Sequence, residues 1–124
     1  MNIALAVFLF IHGFAHIVGF LVYWKLMKDK EVTYKTTIYP GNINIGDSGV
    51  RLLGIVYLAV ALSFGLLGYD LISQPFVLSK YIWAVVVVSL VLCITGWPDT
   101  KFGVVANLIL IVFLILNTYV HWIL

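Results

Sequence analysis

Charge is what this sequence has least of. Seven basic and five acidic side chains are spread over 124 residues, while 64% of the chain is hydrophobic and the mean hydropathy is +1.15. A soluble domain is about 25% charged and about 45–50% apolar. A chain this short has too much surface to hide so many apolar side chains inside itself. The composition therefore argues against a water-soluble core protein and for one that meets a bilayer.

Other absences narrow the field. Cys93 is the single cysteine, so no intrachain disulfide framework can form, and within Val91-Leu92-Cys93-Ile94 it reads as a small hydrophobe. No nucleotide-binding loop, dinucleotide fingerprint, zinc finger or hydrolase motif is present. The few charges form no basic patch, which leaves nucleic acid out as a partner. Met1-Asn2 brings no basic residue ahead of the first apolar run, so that run reads as a retained span and not as a cleaved signal. No convincing internal repeat occurs.

What is there is four apolar segments. The pattern predicts an all-α membrane protein, one transmembrane domain over 1–124, with helices at about 3–24, 50–69, 75–97 and 101–123. The first carries no charge until Lys25 and ends on the interfacial pair Tyr23-Trp24. Short connections make neighbours alternate in direction, giving an antiparallel four-helix bundle. Residues 25–49 are the one sizeable loop. Val32 to Tyr39 is rich in β-branched and aromatic residues, Pro40-Gly41-Asn42 reads as a turn, and Ile43-Asn44-Ile45 follows. This predicts a short hairpin that lies on the helix ends or on a partner. Gly46-Asp47-Ser48 supplies caps for the second helix, Asp70 to Gln74 a tight connection, and Asp99 or Thr100 a cap for the fourth. Lys25, Lys28, Lys30, Lys35, Arg51 and Lys101 fall on one side and Lys80 on the other. The loop is therefore expected to be cytoplasmic, with both termini outside, in a prokaryotic cytoplasmic membrane.

Polar side chains at membrane depth are costly and face protein or a cavity. His12, His16, Gly19 and Tyr23 share one face of the first helix, with Ala15 and Gly19 at small-residue spacing beside it. Asn107, Thr118 and His121 share a face of the fourth, with Ile111 and Leu114 between them and Asn117 on the flank. His16 and Asn107 lie at similar depths from the loop-side ends of their helices, which predicts a hydrogen bond between them and a polar core joining the two helices. His12, His16, Tyr23, Asn107 and Asn117 are the candidate ligand-binding residues. Two histidines four apart could begin a metal site, but no third ligand lies nearby, and two at this spacing on one helix are poorly placed to sandwich a haem. A proton relay or polar pocket is a sharper alternative to plain interhelical hydrogen bonding. No catalytic residue or metal site is assigned and no cofactor is implied.

The remaining charges read as interfacial. Asp47 with Arg51, and Asp99 with Lys101, could pair at helix mouths, though such pairs are weak. Gly54, Ala61, Gly65 and Gly68 form a small-residue seam on the second helix, and Val85 to Val88 a plain lipid- or bundle-facing run.

Three stretches carry a resemblance. His12 to Phe20 fits HGxxHxxGF, Gly46 to Arg51 fits GDxGxR, and Trp97 to Asn107 fits WxDxKFGxxAN. Together they resemble a family of small, uncharacterised prokaryotic four-helix membrane proteins, over nearly the whole chain. A looser likeness to DoxX-like membrane proteins rests on the second helix. Both imply the four-helix architecture and neither implies a reaction.

Function is expected to be that of a non-catalytic structural or accessory subunit, in a homo-oligomer or a larger membrane complex. Its partners are then the bilayer and other membrane chains. The alternative is a binder or enzyme for a lipid-soluble molecule (quinone, isoprenoid or lipid) held in a His-lined pocket between helices one and four. An enzymatic role is left open, with the weight against it. A small transport oligomer ranks lower, because a polar path would stall at Ile111 and Leu114.

Overall fold

The computed structural model describes residues 2–29, 32–40, 43–73 and 79–120. Its helices are α1 (Asn2–Tyr23), α2 (Gly46–Ser73), α3 (Ile82–Thr95) and α4 (Lys101–Val120). A two-stranded hairpin, β1 (Thr37–Ile38) and β2 (Ile43–Asn44), precedes α2, and a 3-10 turn at Ser79–Tyr81 precedes α3. Helices α1, α2 and α4 are long and apolar enough to cross a membrane. Helix α3 has 14 residues, shorter than the expected 75–97. The expected start at Pro75, the hairpin turn at Gly41-Asn42, and His121 with the end of the fourth span lie outside the described residues.

Helix α2 is longer than expected. The side-chain Oδ1 of Asn44 accepts the Gly46 N–H at 2.9 Å, and Gly46 sits at φ +71°, a conformation open to glycine at no steric cost. The helix then runs unbroken to Ser73. Asp70, expected in a connection, lies instead on α2 and is buried, because nothing between Tyr69 and Ser73 breaks a helix.

Helix α1 stops by a different device. Lys25 adopts φ +57°, its N–H bonds the Val22 carbonyl at 3.0 Å, and the Leu26 N–H reaches back to Leu21 at 2.8 Å. This pairing closes a helix around one left-handed residue, which is usually glycine.

The most extensive helix contacts are between α1 and α2. A Cβ on Gly13 would lie 3.1 Å from both the Ala61 carbonyl oxygen and the Phe64 Cβ, one on Gly68 would lie 2.7 Å from the Phe10 ring, and one on Gly54 would lie 2.8 Å from Trp24. Low-numbered residues of α1 thus meet high-numbered residues of α2. Gly65, expected in the same seam, faces open space. Leu5, Leu9, Val60, Phe64, Val86, Leu110 and Leu114 form the apolar core, so Val86 in the valine run is interior. The outward faces remain apolar, most of all on α4, where 17% of the apolar stretch is buried.

The loop lies on the helix ends. The strands pair antiparallel, Thr37 opposite Asn44 and Ile38 opposite Ile43. The Tyr39 N–H bonds the Thr95 carbonyl at 2.9 Å, and Lys35 Nζ donates to the Gly96 carbonyl at 3.4 Å. Asp99 accepts from the Thr33 N–H at 3.2 Å and its hydroxyl at 2.9 Å, with Lys35 3.7 Å away. Asp99 therefore pairs with the loop, not with Lys101, whose ammonium lies over the Phe102 ring. The Asp47–Arg51 pair gives way likewise: the Tyr34 hydroxyl donates to Asp47, and the Arg51 guanidinium lies over Trp24. That hydrogen bond to Asp47 holds the Tyr34 phenol above its usual pKa. Thr100 spends its hydroxyl on the Cys93 carbonyl and Asp99 faces the loop, so both expected caps of α4 serve the connection instead.

Two glycines of the first two helices should respond oppositely to alanine. At Gly13 the new methyl meets backbone and a Cβ, neither of which yields, so Gly13→Ala is expected to cost about 1–3 kcal/mol. At Gly65 it meets nothing, and Gly65→Ala should be neutral or stabilise by up to about 1 kcal/mol. Thermal unfolding in mild detergent, followed by circular dichroism, measures both; equal melting temperatures would contradict the close approach at Gly13.

Candidate functional site

The polar side chains converge between α1, α3 and α4. His12 and His16 lie one turn apart on the inward face of α1, 5% and 3% exposed, their rings perpendicular with centroids 4.7 Å apart. Phe64 of α2 packs against both, at 5.0 and 5.5 Å, an approach that Gly13 permits. Asn107 on α4 and Ser89 on α3 are fully buried opposite them.

The bonds between these four define a direction. His16 Nδ1 lies 2.9 Å from the His12 carbonyl oxygen, which only accepts, so Nδ1 carries the proton and Nε2 is left as an acceptor. Ser89 then donates its hydroxyl to His16 Nε2 at 2.7 Å. The Asn107 amide nitrogen donates to the Gly103 carbonyl at 2.9 Å and to Ser89 Oγ at 3.0 Å. Its oxygen is thereby turned to His12, whose Nε2–H donates to it at 3.2 Å. The order is His12 to Asn107 to Ser89 to His16 and back to the His12 carbonyl. It is a closed ring of four hydrogen bonds across three helices, and neutral imidazoles satisfy every contact in it. Cys93 lies beside it, its Sγ 3.7 Å from the Asn107 amide. Gly103 leaves the room for that thiol: a Cβ there would lie 2.6 Å from Sγ.

The expected pairing of His16 with Asn107 is displaced by one turn: His12 makes that bond, and His16 meets Ser89. Equal depths were the premise, and they do not hold. From Tyr23 back to His12 is about 16 Å of helix, and from Lys101 to Asn107 about 9 Å, so α4 begins about 7 Å inside the end of α1. The hairpin loop fills that recess. Tyr23 is buried but one ring removed from the histidines: its ring lies 5.5 Å from Tyr57, which lies 5.6 Å from His16 and donates to the Leu92 carbonyl at 3.0 Å. Asn117 sits about 15 Å farther along α4, half-buried and outside the ring. Thr118 is exposed and donates to the Ile115 carbonyl, so of the described polar members of the predicted α4 stripe Asn107 is the buried one. Ser89 is the member of the ring that sequence reasoning misses; its one signal is a lone hydroxyl in an otherwise apolar run from Ile82 to Ile94.

Beside the ring lies a pocket of about 110 Å³ that reaches toward the loop, lined by His12, His16, Tyr57, Asp99 and Thr100 among others. Among the described residues, no group of three or more His, Cys, Asp or Glu side chains comes together to hold a metal ion. Comparison with family models, with curated proteins and with solved structures returned no match to the chain.

Replacing Asn107 by leucine removes the two ends that join His12 to Ser89. Asn107→Leu is expected to destabilise by about 1–3 kcal/mol, and the His12→Leu/Asn107→Leu double variant by less than the sum, because the two share one bond. A double-mutant cycle on unfolding in detergent measures the coupling; strict additivity would mean that the bond contributes nothing.

Proposed function

We propose that this chain is a non-catalytic structural or accessory subunit embedded in a membrane, an antiparallel four-helix bundle of the small prokaryotic kind its sequence resembles. The observation that carries the reading is the closed ring of His12, Asn107, Ser89 and His16. Its members spend their hydrogen-bonding capacity on one another and on helix carbonyls, which suits packing and leaves little for chemistry. The order of contacts between α1 and α2, and between Cys93 on α3 and Gly103 on α4, supports the antiparallel arrangement. The largely uncovered apolar surface of α4 supports contact with lipid or a further chain, in this chain's own oligomer or a larger complex. The basic bias of the loop side supports a cytoplasmic loop with both termini outside.

The second reading, a binder of the polar end of a quinone, isoprenoid or lipid, is favoured by one observation: both histidine rings line the pocket under the loop. There an imidazole would exchange one of its ring bonds for a carbonyl or hydroxyl of the ligand.

Gentle extraction followed by native mass measurement separates the two. The subunit reading expects an assembly of more than one chain, unchanged in composition by Thr100→Val at the pocket. A lone monomer that co-extracts a quinone or isoprenoid, lost on His16→Ala, would overturn it in favour of the binder.

A further inference from the structure

We propose that the loop-side end of α1 is a binding site for an anionic phospholipid, taking its phosphate between Lys25 and Lys28 and the top of an acyl chain against Leu26. A groove of about 440 Å³ is lined there by Val22, Lys25, Leu26, Met27, Lys28 and Tyr34. The order Lys25-Leu26-Met27-Lys28 sets cations beside apolar side chains that are left uncovered: Leu26 is 64% exposed and Met27 37%. In water such exposure has no return, whereas a lipid offers the same two chemistries side by side, an anionic headgroup above hydrocarbon.

The backbone adds a second observation. The helix-closing residue at φ +57° is Lys25, where glycine would sit without strain. The lysine holds its ammonium over the Tyr34 ring, 4.7 Å from the centroid, and Tyr34 is in turn tied to Asp47. Among the described residues, the acidic neighbours are engaged by the loop: Asp29 accepts the Val32 N–H at 3.0 Å, and Asp47 holds Tyr34. Arg51, over Trp24 at 5.5 Å, adds positive charge on the same side. Charge complementarity therefore selects an anionic glycerophospholipid of the loop-side leaflet over a neutral one. The site rests on the reading of α1 as a membrane span.

The test uses the full chain in vesicles. Flotation with pure phosphatidylcholine vesicles checks the membrane reading, and wild type and variants alike should float. Native mass spectrometry of protein released from vesicles of phosphatidylglycerol and phosphatidylcholine in equal parts then reads the bound lipid. Wild type should retain phosphatidylglycerol preferentially. Lys25→Gly and Lys28→Gln should each lower that preference about fivefold, and Lys80→Gln, on the opposite side, should not. Lys25→Gly relieves the left-handed lysine, so its melting temperature should equal or exceed that of wild type, which separates lost lipid from lost fold. An unchanged preference in both loop-side variants overturns the site and leaves the membrane reading standing. Displacement of the lipid by millimolar inorganic phosphate overturns it in favour of a free-phosphate site, and failure of wild type to float overturns both readings.

Discussion

A hydrogen-bonding group kept from water must find its partner within the protein, and this constraint organises the interior of the chain. Four polar side chains from three helices meet where apolar surface surrounds them, and each satisfies another. His12 and His16 fix the rotation of α1, Ser89 that of α3 and Asn107 that of α4. A turn of any of these helices about its axis would leave a buried donor or acceptor open, at a cost larger than any one of these bonds contributes. Apolar packing alone tolerates sliding and rotation far better.

The rest of the architecture serves that meeting. Gly13 lets α2 come close enough for Phe64 to seal both imidazoles on one side. Gly103 leaves space for the Cys93 thiol, so that α3 and α4 approach where Asn107 reaches Ser89. Tyr57 links α2 to the Leu92 carbonyl of α3. Helix α2 joins the arrangement mainly through shape, with Tyr57 bonded to α3, while the other three are joined through polarity.

The four helices and the hairpin were legible because apolar length, turn residues and β-branched runs are local signals. The polar convergence of α1 with α4 was legible too, because His12, His16 and Asn107 stand out in hydrophobic surroundings. Their register was not. It depends on how far the connection between α3 and α4 is recessed, and that is set by Thr33 and Lys35 reaching Asp99 and Gly96 from a loop more than sixty residues earlier in the chain. Ser89 was legible only as an exception in its run, and Asp70 only once α2 was known to continue past it. The charge pairs differ from expectation for one reason: proximity in sequence matches Asp47 with Arg51 and Asp99 with Lys101, whereas the loop claims both carboxylates.

The ring's direction has a consequence for what can pass through it. The Gly103 carbonyl pins the Asn107 amide nitrogen, so the circuit has one sense. Reversing it would set the Asn107 oxygen against the Gly103 carbonyl and the lone pair of His16 Nδ1 against the His12 carbonyl, which only accepts. Followed from donor to acceptor, the circuit begins and ends on α1. Such a circuit is a clasp and not a conduit: it holds three helices at one level and offers no way across.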